Sequence, residues 1–205
     1  MTRKRPKPER MKAIVRAAVA EFLEKGYENS SMESIARRAG LSKGGIYHHF
    51  KSKDEILLYA NQQLSEPVAE LMDRSARRSS AAAALGDYIR LYLKHWQDRP
   101  RELVFFFLST TRVLANRQVW EMYERYAEAT LAFFQGLLER GVQAGEFRPH
   151  DSRAWAVALM SALDGVIGYL MIDRRLKPGE VSRGLYEVLV RPLLAAGRGK
   201  AGRGS

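Results

Sequence analysis

Residues 31–50, SMESIARRAGLSKGGIYHHF, admit few folds, because their apolar positions recur with a helical period that one glycine interrupts. Ser30-x-x-Glu33 has the spacing of a capping box, in which a hydroxyl and a carboxylate satisfy free backbone donors at a helix start. Met32, Ile35, Ala36 and Ala39 then fall on one helical face. Gly40 stands where that helix must end, since glycine enters the left-handed conformation cheaply. Leu41 closes the turn. Ser42 is placed to cap a second helix, on which Ile46 and Phe50 lie four apart and face inward together. Lys43, Gly44, Tyr47 and His48 are left on the outer side. Two short helices, a glycine turn and a polar, aromatic outer face describe a helix-turn-helix whose second helix lies in a DNA major groove.

The charge balance agrees with a polyanionic partner. Over 205 residues the formal net charge is +11 and the pI about 10.0. The chain has no cysteine, which removes disulfides, thiolate nucleophiles and thiol metal sites and suits a reducing cytoplasm. The basic start, MTRKRPKPER, has no apolar run behind it and does not read as a secretory signal. No apolar stretch approaches the roughly 20 residues needed to span a bilayer. The longest, around residues 154–172, is interrupted by Ser161, Asp164 and two glycines, so no membrane partner is expected.

Read in order, the chain predicts an all-α protein of about nine helices, with no strand alternation anywhere. Residues 1–9 form a disordered basic arm that either follows DNA or is merely solvated. A first helix over residues 10–25 carries Met11, Ile14, Val15, Ala18 and Phe22 on one stripe and ends at Gly26. The DNA-binding domain spans 10–52. Ser52-Lys53-Asp54-Glu55 repeats the capping pattern and opens a fourth helix that reaches Pro67 or kinks through it. Residues 74–84 read as a basic loop leading into a fifth helix, 85–97. Pro100 opens a sixth, 119–144 is a long seventh, Asp151 or Ser152 caps an eighth through 171, and 180–196 is the last. Residues 53–196 form a second, larger domain, and 197–205 a disordered tail.

The outer face of the second short helix supplies the candidate DNA contacts. Lys43 reaches either a guanine edge or a phosphate. Gly44 and Gly45 are poor helix formers and point to close backbone approach. His48 faces outward, whereas His49 either bonds phosphate or braces the fold. An adjacent His pair points about 100° apart and makes no metal site. Ser31, Ser42, Lys53 and the amides that open their helices are further phosphate contacts, with pure capping the competing role for Ser31.

An ordered set of residues between about 11 and 64 resembles the DNA-binding domain of the TetR/AcrR family of bacterial regulators. The set is Gly26-Tyr27, the paired serines before the next helix, Ile35-Ala36, Ala39-Gly40, Gly45-x-Tyr47, Phe50 and Lys51-Ser52-Lys53. The resemblance implies that Tyr47 contacts the DNA backbone or a thymine methyl. The family pattern often has threonine or alanine where Gly45 stands, so base reading here leans on the neighbours. It also implies dimerisation through the last two helices as a four-helix bundle. The residues agree with that, because both helices are apolar on more than one face. Trp155, Leu159, Leu163, Val166, Ile167 and Leu170 spread around one, and Leu185, Val188 and Leu189 mark the other.

The resemblance further implies an effector cavity in the larger domain. Tyr92, Trp96, Phe105, Phe106, Trp120, Tyr123, Tyr126 and Trp155 are candidates for its apolar wall, with Phe133 beside them, and Arg112 and Asp164 for its polar anchors. Ordinary core packing is the competing role for most of them. The expected protein is a cytoplasmic, ligand-responsive repressor that binds a palindromic operator as a homodimer and is released by a small, largely apolar effector. An architectural, sequence-tolerant DNA binder is the alternative. No enzyme is expected, since HExxH, phosphate loops after a strand and Ser/His/Asp groupings are missing and His95 and His150 stand alone. No metal or cofactor is expected either.

Overall fold

The computed structural model describes residues 7–113, 117–173 and 175–195; the side chains of Lys7, residues 110–113, Gln118, Val119 and Met122 lie outside that description. Most of the expected basic arm and the whole expected tail 197–205 fall outside it too. Among the described residues there are nine α-helices, a short 3-10 turn and no strand, only an isolated antiparallel bridge between Phe147 and Leu194. The chain divides into two compact units, the described residues of Met1–Pro67 with Arg101–Tyr123, and of Val68–Pro100 with Glu124–Ser205.

In the first unit, α1 (Lys7–Lys25) begins three residues earlier than expected, because Pro8 is tolerated in a first helical turn. Its Ile14, Ala18 and Phe22 meet Ile35 of α2 (Met32–Arg38), Ile46 of α3 (Lys43–Tyr47), and Phe50. Ile56, Leu57 and Ala60 of α4 (Lys53–Ala76) and Phe105 of α6 (Pro100–Val113) complete this core. Pro67 lies inside α4 without ending it. A carboxylate clamp ties α1 to α2: Glu21, almost fully buried, accepts from Lys25 at 2.6 Å and from Arg38 at 2.8 Å. The Lys25 hydrogen bond, with Ser34 and Arg38 behind it, holds the Glu21 carboxyl below its ordinary pKa against a desolvation that pushes it up.

In the second unit, α5 (Ala81–Gln97) packs on α8 (Ser152–Ile172) and α9 (Pro178–Leu189). Glu146 closes the start of α5 by accepting from the amides of Ala81 at 2.7 Å and Ala82 at 3.0 Å and from the Ser80 hydroxyl. Arg140 of α7 (Arg117–Gln143) donates to the carbonyls of Ala76 and Arg78 and so closes the end of α4. At Gly141 the ring of Phe147 approaches so closely that a Cβ would stand 2.1 Å from it. The last helix is shorter than expected. Pro178 begins it, Leu189 ends it, and residues 191–193 around Pro192 tighten into the 3-10 turn.

The eighth helix departs from the sequence reading in two ways. Ser161, Asp164 and the glycines do not interrupt it, and by length and composition, at mean hydropathy 1.7, it could cross a membrane. Of the residues assigned to a second subunit, Leu159, Leu163 and Ile167 are instead buried within their own unit. A helix apolar all round does not reveal in sequence which stripe turns inward, and the i, i+4, i+8 stripe of large aliphatics does so here. Trp155, Val166 and Leu170 are half-buried, as are Leu185 and Leu189, while Val188 is 66% exposed. Val157, Tyr169, Met171 and Ile172 are exposed with it.

Candidate nucleic-acid interface and effector cavity

The short helices are set by their caps. The N-cap of α2 is Ser31, whose Oγ accepts from the Ser34 amide while Ser34 Oγ accepts from the Ser31 amide. The box therefore lies one residue beyond the Ser30–Glu33 pair read from sequence. Ser30 is buried and donates its hydroxyl to the Gly26 carbonyl, and Glu33 is engaged with Lys43 at 2.5 Å. Gly40 adopts φ +67°, as the sharp turn demands. Ser42 caps α3 by accepting from the Gly45 amide at 3.1 Å.

With Ile46 and Phe50 buried, α3 turns Lys43, Gly44, Tyr47 and His48 outward. Tyr47 is 46% exposed, an unusual position for so large an aromatic side chain. Gly44 has open space where a side chain would stand, but Gly45 faces inward, 3.3 Å from Ser42 Oγ and 3.6 Å from Leu41. His49 is half-buried beside the His48 ring. Lys43 is exposed, and its bond to Glu33 raises its pKa and lowers that of Glu33. Lys53 differs most from its expected role. Its ammonium donates to the carbonyls of Tyr27 at 2.8 Å, Ser30 at 2.6 Å and, at 3.5 Å, Glu28, and sits 4.5 Å over the Tyr27 ring, which spends its three donors on the α1–α2 connection.

The ten effector candidates fall into both units. Phe105 belongs to the core under the helix-turn-helix, where it stacks on Phe22. Phe106 stacks on Tyr123, whose hydroxyl, together with Ser109 Oγ, donates to Asn61 Oδ1. Trp120 is exposed, and the Arg112 side chain lies outside the described residues. A 370 Å³ groove in this unit runs between the end of α1, Leu57 of α4, and Phe105, Leu108 and Ser109 of α6.

In the second unit Tyr92, Tyr126 and Asp164 do line one cavity, together with Leu163, which the sequence reading gave to the dimer, and with Tyr88, Thr130, Phe134 and Met160, which it did not place in a cavity. The spacing held the signal, since Tyr88 and Tyr92, and Tyr126, Thr130 and Phe134, are each four apart on a helix. The cavity is small, at about 10 Å³, the room of roughly one water, and opens to solvent on the Asp164 side. Tyr92 donates to Asp164 at 3.1 Å. Asp164 is exposed at the surface, yet enough protein surrounds its carboxyl to raise its pKa by desolvation, and the Tyr92 hydroxyl offsets this only in part. Trp96 is buried farther along α5, and Trp155 is half-buried beside His150.

A family model described as bacterial regulatory proteins, tetR family, matches residues 14–60, the segment that contains the capped helices and their core. The fatty acid metabolism regulator protein of Bacillus subtilis (strain 168) is 25% identical over 194 residues, covering 93% of this chain and 97% of that one. The HTH-type transcriptional repressor BepR of Brucella suis biovar 1 (strain 1330) is 29% identical over 162 residues, 77% of this chain and 78% of that one. Among solved structures, the regulator FadR from Bacillus subtilis in complex with stearoyl-CoA superimposes with a TM-score of 0.73 at 23% identity, over 87% of this chain and 97% of that one. The matched segment, the two relatives and the all-helical architecture agree: residues 14–60 are a DNA-binding domain of the tetR family, and the chain is similar over most of its length to transcriptional regulators.

Proposed function

We propose that this regulator is a repressor that binds a palindromic operator as a homodimer and is released by a small, largely apolar effector held in its second unit. The observation that carries the reading is the outer face of α3. Lys43, Gly44, Tyr47 and His48 are exposed on a helix whose opposite side is locked into a core by Ile46 and Phe50. The capping hydroxyls of Ser31 and Ser42 accept from their helix amides and keep a proton to donate to phosphate. Such a face reads a major groove, and a two-fold dimer presents it twice, to half-sites about 34–36 Å apart or a multiple.

The open apolar face of α8 and α9, with Val157, Tyr169, Met171, Ile172 and Val188, supports the dimer. A role on DNA like that of its bacterial relatives supports a cytoplasmic location. The Bacillus subtilis FadR structure carries stearoyl-CoA, which supports a small-molecule ligand for this chain too. Because the ligand weakens DNA binding, DNA must weaken ligand binding by the same factor.

The test is selection of the purified protein on random duplexes at physiological salt. Enrichment of a palindrome is expected. Tight, salt-sensitive binding without enrichment would sink the operator reading.

A further inference from the structure

The charge of the cavity wall narrows the effector further, on the reading that the second unit holds it. Of the described residues lining the cavity among α5, α7 and α8, Asp164 is the one that carries a charge, and none of them is Lys, Arg or His. The Asp164 carboxylate has one hydrogen-bond partner among the described residues, the Tyr92 hydroxyl. A carboxylate can accept about four such bonds, so the protein leaves most of its capacity to solvent or to a ligand, in surroundings that already disfavour its charge.

Aromatic rings stand behind it. Tyr88 and Tyr92 stack with centroids 5.7 Å apart, and Phe134 meets Tyr88 edge to face at 5.2 Å. Tyr88, Tyr92 and Phe134 are buried, whereas Asp164 lies at the open side. The site therefore has a negative mouth and an aromatic, apolar interior. An anionic head at this mouth meets a like charge in a partly dry setting, which costs affinity. A cationic head gains the carboxylate and the faces of the rings together.

We propose that the effector is an amphipathic cation, an organic amine or quaternary ammonium whose charged head pairs with Asp164 and whose apolar body enters among Tyr88, Tyr92 and Phe134. The space among these side chains holds only about one water. Binding therefore parts α8 from α5 and α7, and burial of the apolar body drives that opening. This head-group preference is opposite to that of an acyl-CoA, whose phosphates are anionic.

Three ligands with one tail and three charges test it: dodecyltrimethylammonium, dodecanol and dodecanoate, each below its micellar concentration. Calorimetry gives their affinities for the full chain, and fluorescence anisotropy of a bound operator gives release in the same samples. The ammonium is expected to bind at least about ten-fold tighter than the other two and to release DNA. Asp164→Asn, which keeps the shape and the Tyr92 contact, is expected to erase the preference, and Asp164→Glu to retain it. Far-UV circular dichroism and thermal melting matching the parent chain establish that both variants fold.

Dodecanoate or dodecanol binding as tightly as the ammonium would overturn the cationic assignment, as would equal ammonium binding by Asp164→Asn. If dodecanoate alone releases the operator, the cation is excluded while the ligand-responsive repressor stands. If none of the three binds, the inference fails, and the ligand-free anisotropy still reports whether operator recognition holds.

Discussion

Tyr47 and Lys43 occupy the same outer face yet differ in what binding DNA requires of them. Tyr47 stands exposed, so Tyr47→Ala is expected to lower operator affinity by about ten-fold while leaving the dimer intact in sedimentation, a loss typical of one good contact. Lys43 must first leave Glu33. Removing that competitor by Glu33→Gln is expected to strengthen DNA binding several-fold and to steepen the salt dependence by about one phosphate contact in a titration of affinity against ionic strength. Unchanged affinity and slope would mean the pair is already broken in solution. The outward direction of Tyr47 and Lys43 was legible because Ile46 and Phe50 fix the inner side by spacing alone. The role of Lys53 was not, since its partners are backbone carbonyls of residues 23 to 26 positions earlier, which no local pattern encodes.

Helices in this chain are held by contacts at their ends. The Glu21 clamp between α1 and α2 illustrates the consequence for pH. Its carboxyl pKa is depressed in the folded state, so its contribution is complete above the ordinary value of 4.5 and is lost as pH falls through the lower folded value. Glu21→Gln is expected to cost about 1–3 kcal/mol at neutral pH in urea unfolding, and that deficit should shrink below pH 4.5. A deficit constant with pH would show that the charge contributes nothing. Gly141 tests a second element end. An alanine Cβ there overlaps the Phe147 ring, so Gly141→Ala should destabilise by about 1–3 kcal/mol in the same assay. Helix existence was legible throughout, because apolar stripes four apart persist from α1 to α9. Helix ends were less so. Either of two adjacent serines could cap α2, and a proline such as Pro8 or Pro178 opens a helix as readily as it breaks one.

Dimerisation decides whether two reading helices reach one operator. Val188 is the most exposed aliphatic of the α9 face, and Val188→Glu is expected to yield monomers in sedimentation and to abolish palindrome binding while leaving the helical content unchanged. A dimer that survives this change would place the interface elsewhere. The sequence marked α8 and α9 as doubly apolar, but their inward stripe depends on what α5 presents to them, which is a tertiary fact. The effector candidates were scattered for the same reason. Phe105 and Tyr92 are equally aromatic in sequence, and only the packing assigns one to the core beneath α3 and the other to a cavity beside Asp164.

Pro67 brings no amide to α4 at the point where the chain passes from one unit to the other, so the carbonyl of Gln63 loses its helical donor there. Ser65 bends its hydroxyl back to the carbonyls of Asn61 and Gln62 just before the gap. Deuterium uptake along this one helix should therefore fall into two blocks, each opening with the free energy of its own core. An effector that communicates with DNA must slow exchange in both blocks at once, whereas a bystander ligand slows only the block on its own side of the proline.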